Sequence, residues 1–259
     1  NPWCADDACT NLVHAVTPGG SIQAAIDAAS NGDTITVAAG TYVEDPLINK
    51  SITLLGPNAA IDPNTGIRVA EAVILPAVSA PDPAVCETVV YVENSDVTIK
   101  GFTFDGDNPA LTSGIDINGA DVDACILVAS YEGVGNITVE NNILKNATYA
   151  GMDFYNYNND TAATSGNYIR YNKIDGIGET TYNWGVGILV TRNFYADVTD
   201  NVITHTRVGI QADYHNKTNP GTTGSVSNNQ ISTWRLGLFL NQQWTGLTPL
   251  TIADNTFTA

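Results

Sequence analysis

Val139-Glu140-Asn141-Asn142-Ile143-Leu144 is the first of five related stretches in the second half of the chain. The others are Ile169-Arg-Tyr-Asn172-Lys-Ile, Val198-Thr-Asp-Asn201-Val-Ile, Val226-Ser-Asn-Asn229-Gln-Ile and Ile252-Ala-Asp-Asn255-Thr-Phe. Each alternates apolar and polar residues, turns at an Asx–Asn pair or its near equivalent, and resumes with an apolar residue. Successive second asparagines are 30, 29, 28 and 26 residues apart. A drifting period of this length, with strand-type alternation on both sides of a turn, marks a solenoid of stacked β-coils.

A second repeat marks another face: Gly151-Met-Asp-Phe154, Gly187-Ile-Leu-Val190, Gly209-Ile-Gln-Ala212 and Gly237-Leu-Phe-Leu240. Glycine is expected to turn the corner here, with Met152/Phe154, Ile188/Val190, Ile210/Ala212 and Leu238/Leu240 pointing inward as stacked rungs. The residues between them must point outward.

Composition narrows the function classes. Of 259 residues 43% are hydrophobic, enough for a continuous core in one domain covering 1–259. Acidic residues outnumber basic ones 27 to 10. A nucleic-acid binder needs a cationic stripe, which this chain lacks, and the same balance disfavours anionic membrane surfaces. No apolar run is long enough to span a bilayer. The chain opens at Asn1-Pro2-Trp3-Cys4 without an initiator methionine, as expected of a processed or excised segment.

Residues 1–20 read as an irregular lead-in, and 21–30 as a short helix capped by Ser21 over Ile22-Gln-Ala-Ala-Ile26-Asp-Ala-Ala29. Coils are expected over 31–259, with long corner loops at 57–85, 105–124, 156–167 and 215–224. Because 251–259 falls inside a repeat, an uncapped C-terminal coil is expected, offering an edge for self-association.

Ser21-Ile-Gln-Ala-Ala-Ile, Gly32-Asp-Thr-Ile, Ala39-Gly-Thr-Tyr42 and Ile52-Thr-Leu-Leu-Gly56 together resemble the capping helix and first coils of the pectate-lyase-like superfamily. The resemblance implies an all-β, right-handed parallel β-helix with three short sheets per turn behind the N-terminal helix. It also implies an asparagine ladder, which here would be Asn142, Asn172, Asn201, Asn229 and Asn255. An asparagine at a tight corner suits αL backbone and can bond up and down the stack.

Four cysteines show no zinc spacing. Cys86 lies 11 residues before Val97 and Cys125 lies 12 before Ile137, nearly equivalent places on successive coils. Neighbouring strands sit about 4.8 Å apart, within disulfide reach. The expected pairs are Cys86–Cys125 and Cys4–Cys9, which imply an oxidising, extracellular or cell-surface location. Four buried free thiols are the other reading.

The superfamily's enzymes differ in their motifs. Gly-His-Gly and Arg-x-Lys, which polygalacturonase-like hydrolases share, are absent, and Asp153-Phe154 matches only the start of a pectin methylesterase segment. Arg192 and Arg207 are the arginines near the outward Gly-strand face, in no recognisable lyase motif. That face carries carboxylates, amides and rings of the kind that contact sugars: Asp153, Tyr155, Arg192, Gln211, Asp213, His215, Phe239 and Trp244. Ordinary solvent-facing residues are the alternative. Asp105, Asp107, Asp116, Asp121 and Asp123 gather in one loop region with almost no local cation. Structural calcium, which takes six to eight oxygens, would relieve their repulsion; plain solvated acidic loops would also account for them. No other cofactor is indicated.

These features favour an exported, non-catalytic surface, adhesin-like or assembly module, carbohydrate contact included. The alternative is a polysaccharide-active enzyme, with a uronate lyase ahead of a glycoside hydrolase.

Overall fold

Short alternating segments can bury their apolar positions only against the coils above and below, so such a chain winds rather than doubling back. The computed structural model describes residues 11–156, 164–178, 184–192, 194–213, 224–241 and 250–258. Within them the strands stack in parallel as a β-helix. One face is nine strands deep, from Val13–Val16 through Thr98–Lys100 and Thr138–Glu140 to Thr251–Ala253. Its central positions Ile35, Leu54, Ile99, Val139, Ile169, Val198 and Val226 fall in register and are almost wholly buried. Each such side chain contributes about 1.5–3 kcal/mol of burial.

The other two faces are the arms of a 13-stranded sheet. One arm contains Gly40–Val43, Thr103–Asp105 and Lys173–Ile177; the other contains Thr88–Val92, Ile126–Ser130, Ala150–Tyr155 and Val186–Thr191. They fuse where Val202–Asp213 and Gln230–Asn241 run through the corner as single 12-residue strands, with register shifts between Ile203 and Val208 marking the bend. Three faces per turn are therefore present, and the corner between two of them disappears in the later coils.

The expected ladder is continuous. The backbone N–H and side-chain amide of Asn142 both donate to Oδ1 of Asn172, at 3.0 and 3.2 Å. Asn172 repeats this to Asn201, Asn201 to Asn229, and Asn229 to Asn255. Each amide also donates to a strand carbonyl, that of Ile99, Val139, Ile169, Val198 or Val226. One expectation is corrected: the αL residue is not the ladder asparagine but its predecessor. Asn141, Tyr171, Asp200, Asn228 and Asp254 have φ of 54–58°. That reversal turns the next side chain inward, where its amide meets unpaired turn groups.

The corner glycines also act differently from expectation. Gly151, Gly187, Gly209 and Gly237 lie inside strands, and none is among the positive-φ residues. Space explains them: a Cβ on Gly151 would sit 2.7 Å from the Gly187 carbonyl oxygen, and one on Gly209 2.5 Å from that of Gly237. The rungs they precede stack as expected, Met152 on Ile188 on Ile210 on Leu238 and Phe154 on Val190 on Ala212 on Leu240.

The helix Ile22–Ala28 closes the N-terminal end of the core with Ile22 and Ile26. Glu44 accepts from the N–H groups of Ile22 and Gln23, while the Lys50 ammonium bonds the carbonyls of Ile26, Asp27 and Ala29. Opposite charges thus meet opposite ends of the helix dipole. No helix in the described residues is long and apolar enough to cross a membrane. Cys86 and Cys125 are bonded, with Cα atoms 5.3 Å apart; Cys4 and Cys9 lie outside the described residues. In the last coil Ile252 and Phe257 are 44% and 49% exposed.

Asn172→Ala orphans buried groups on both neighbouring coils and is expected to cost about 3 kcal/mol. Asn255→Ala, with a ladder partner on one side, should cost about half of that; urea unfolding midpoints at unchanged m-value check both. Replacing Cys86 and Cys125 by serine opens a loop of 39 residues. The double variant is expected to lose up to about 4 kcal/mol, read as a lower melting temperature.

Candidate active site

On the face built from Ile126–Ser130, Ala150–Tyr155, Val186–Thr191 and Val202–Asp213, outward positions alternate with the core rungs. Register places Ala129, Asp153, Leu189, Gln211 and Phe239 in one outward row. Tyr155 and Thr191 form the next, with Tyr131 ahead of Tyr155, and the backbone register continues through Asp213 and Asn241. Between these rows opens a cleft of about 340 Å³ lined by Tyr149, Asp153, Tyr155, Leu189, Thr191, Arg192 and Gln211. Apolar walls with a few convergent polar groups are the usual form of a ligand site.

Asp153 is its most unusual member. It is 3% exposed. The Tyr131 hydroxyl donates to its Oδ2 at 3.3 Å, and Oδ1 has no hydrogen-bond partner among the described residues. Burial pushes this carboxyl up to about 7, against a smaller lowering by the Tyr131 hydrogen bond. Loss of water penalises the carboxylate, and one long hydrogen bond does not replace the hydration shell. Tyr149 is raised in turn to about 12, chiefly by burial and then by the charge of Asp153. Both phenols beside Asp153 therefore keep their protons at neutral pH.

Aromatic rings build the cleft's side. Tyr91 packs edge-on against Tyr131 with centroids 5.5 Å apart, and Tyr131 stacks on Tyr155 at 4.2 Å. The Arg192 guanidinium lies over Tyr155, 5.5 Å from the ring centre. Behind them Cys125, Ile126, Ala129 and Ala150 form a small buried cluster, against which Cys86, Tyr91, Tyr131 and Tyr149 pack. The disulfide therefore braces the column of rings. On the far side Tyr149 meets Trp184 at 5.5 Å, and Trp184 is 49% exposed.

Of the sugar-contact residues expected from sequence, Asp153, Tyr155, Arg192 and Gln211 come together in the cleft. Phe239 sits in the same row one coil further on, 38% exposed and outside the lining. The backbone of Asp213 pairs beside Thr191; its side chain, His215 and Trp244 lie outside what the structure describes. Arg207 belongs to the long strand and does not line the cleft. Sequence reasoning missed Tyr131 and Tyr149. Tyr131 follows Ile126–Ser130, which carries Leu127 where later coils carry glycine, so the Gly-based repeat passed over it, and Tyr149 lies two residues before Gly151, outside the repeated stretch. The alternation Val128/Ser130, matching Met152/Phe154, was the available signal.

Four of the five acidic loop residues have local partners. Asp105 pairs with Lys145 at 2.7 Å and accepts from Asn146. Asp121 accepts from Ser113 and Gly114, Asp116 from Gly119, and Asp123 from the Asn108 N–H. Asp107 is pushed upward by burial and by Asp105, Asp123 and Asp121. Among the described residues no three acidic, histidine or cysteine side chains gather closely enough to hold a metal.

Because Asp153 titrates near 7 when folded and near 3.8 otherwise, the unfolded chain releases this proton first. Native stability then falls as pH rises through that window and levels off above it. Asp153→Asn abolishes this loss. The variant is expected to exceed the parent at pH 8 by about 2–4 kcal/mol and to match it near pH 4; denaturant melts at the two pH values check this.

Similarity to known proteins agrees with the geometry. No curated protein sequence matches this one. Among solved structures, a point mutant of the PL6 family alginate lyase AlyGC superposes with TM-score 0.52 at 14% identity, over 96% of this chain and 40% of that one. The chain thus spans under half the length of that lyase. A pectin methylesterase from Aspergillus niger superposes with TM-score 0.48 at 14% identity, over 94% of this chain and 85% of that one. At such identities the likeness concerns the fold. The family model described as "Right handed beta helix region" matches residues 88–259. Two-thirds of the sequence, the parallel register and the asparagine ladder agree: the chain belongs to the right-handed β-helix family.

Proposed function

We propose that this chain is an exported polysaccharide-active enzyme, a uronate lyase before a hydrolase, with Asp153 as its proton-transferring group. The observation that carries the reading is a buried carboxyl at the base of an open cleft, one oxygen tied to Tyr131 and the other without a partner. Holding a carboxyl near neutrality costs folding stability, a cost that a passive surface module has no reason to retain. A group with this proton affinity can act as acid or base at physiological pH.

The chemistry follows from the residues at hand. In elimination from a uronate, the C5 proton leaves to a base, the C4–C5 double bond forms, and the C4–O bond breaks. The departing oxygen then takes up a proton, while a cation steadies the sugar carboxylate. Ionised Asp153 receives the C5 proton, Arg192 faces the carboxylate, and Tyr149 donates to the departing oxygen. Hydrolysis would need two carboxyl groups flanking one bond; Asp153 is the one carboxylate among the described lining residues. The Cys86–Cys125 bond supports export, since such bonds persist in oxidising compartments.

Pectate, alginate and glycosaminoglycans incubated with the protein should yield, from at least one of them, unsaturated uronate absorbance and new reducing ends. Asp153→Asn should lower that rate at least 100-fold. Undiminished turnover by Asp153→Asn would overturn the role of Asp153. Calorimetric binding without turnover would return the chain to the non-catalytic, glycan-contacting reading.

A further inference from the structure

We propose that Tyr131 is the positioning residue of this site: its hydroxyl holds Oδ2 of Asp153, fixing the orientation of the carboxyl at the base of the cleft and favouring its ionised form. This rests on the reading of Asp153 as the proton-transferring group and adds what holds that carboxyl in place and steadies its charge. Tyr131 follows the strand Ile126–Ser130, one coil before Asp153, and its ring is held from both sides. Tyr155 stacks on one face, Tyr91 meets it edge-on, and the Tyr91 hydroxyl accepts from the Tyr131 N–H at 3.3 Å. A ring so clamped cannot swing its hydroxyl away from Asp153 without breaking the stack.

The direction of the hydrogen bond to the ionised carboxyl follows from proton counting. A neutral phenol has one proton to give, and burial together with the neighbouring Asp153 raises Tyr131 far above its usual range, so that proton stays in place. When Asp153 is ionised, Oδ2 accepts it and the phenol stabilises the charged form. At 3.3 Å the contact is long for O–H···O and has room to shorten when Asp153 ionises, as charged acceptors draw donors closer. The titratable and charged groups of the described residues around Asp153 are Tyr131 after the adjoining strand, Tyr149 just before its own strand and Tyr155 at the end of it, and Arg192 on the next coil. Glu93 and Glu132 bear on Tyr91. Leu189 and Gln211, which complete the row, carry no charge.

The test reads ionisation directly as well as rate. In protein carrying 13C-carboxyl aspartate, the Asp153 resonance, identified by its loss in Asp153→Asn, is followed against pH. Tyr131→Phe keeps the stacked ring and removes only the hydroxyl, so the midpoint is expected to rise by about one pH unit. The alkaline rise of the kcat profile should move with it, while KM changes less than about twofold. Tyr171→Phe, at an exposed corner away from the cleft, should leave the midpoint in place. An unmoved midpoint in Tyr131→Phe overturns the proposal. Should that variant not fold, 13Cζ-labelled tyrosine in the parent protein decides: the Tyr131 signal must titrate together with Asp153, and its failure to do so overturns the proposal equally. The two ideas fail separately. Undiminished turnover by Asp153→Asn would end the catalytic reading while leaving the shared titration; an unmoved titration would end the role of Tyr131 while leaving turnover.

Discussion

Vertical hydrogen bonding between asparagine side chains at one corner is the constraint on which the rest of this molecule depends. Parallel strands in a solenoid are individually three to seven residues long over most of the length, and a one-residue slip would turn every core residue outward. Asn142, Asn172, Asn201, Asn229 and Asn255 oppose that slip: Oδ1 of each of the last four accepts two donors from the asparagine one coil before, and Oδ1 of Asn142 accepts the Phe102 N–H. The outward rows inherit this alignment. Asp153, Leu189 and Gln211 share the cleft because the coils beneath them are locked in step.

Much of the fold was legible because solenoid repeats write their spacing into the sequence. The five Asx–Asn stretches and the four glycine stretches gave the ladder and the rungs, and the offsets of Cys86 and Cys125 gave their pairing. Half of the expected sugar-contact set lines the cleft for the same reason, since outward positions follow once inward ones are known. Tyr131 stayed hidden because its coil has a leucine in place of the marker glycine, and Tyr149 because it lies two residues before Gly151, outside the repeated stretch. The residue in αL was misassigned by one position, as the sequence shows the Asx–Asn pair but not which member bends. The acidic loop was less legible for another reason. Counting carboxylates says nothing of direction, and here Asp105, Asp116, Asp121 and Asp123 turn toward a local amide, hydroxyl or ammonium.

The loop after Gly56, flagged by its length, serves the corner rather than the cleft. The Arg68 guanidinium donates to the carbonyls of Ile61, Asn141 and Phe102 and pairs with Glu71, while Asn64 donates to the Asn172 carbonyl. A single insertion thus satisfies turn carbonyls on several successive coils, outside the asparagines that satisfy the interior ones. Both sides of the corner are held, which leaves the opposite face to carry the cleft.

The column of Gly151, Gly187, Gly209 and Gly237 sets a rule for how such a chain can lengthen or shorten. The gaps left by the missing methyls of Gly151, Gly187 and Gly209 are filled by the carbonyl oxygen of the next glycine, and that of Gly237 by the Phe257 ring, so no member can change without displacing its neighbour. Whole turns, glycine and asparagine together, are therefore the natural unit of duplication or loss. A repeat copied intact would slot into the stack and extend the groove by one strand spacing, whereas a partial copy would wedge the coils apart.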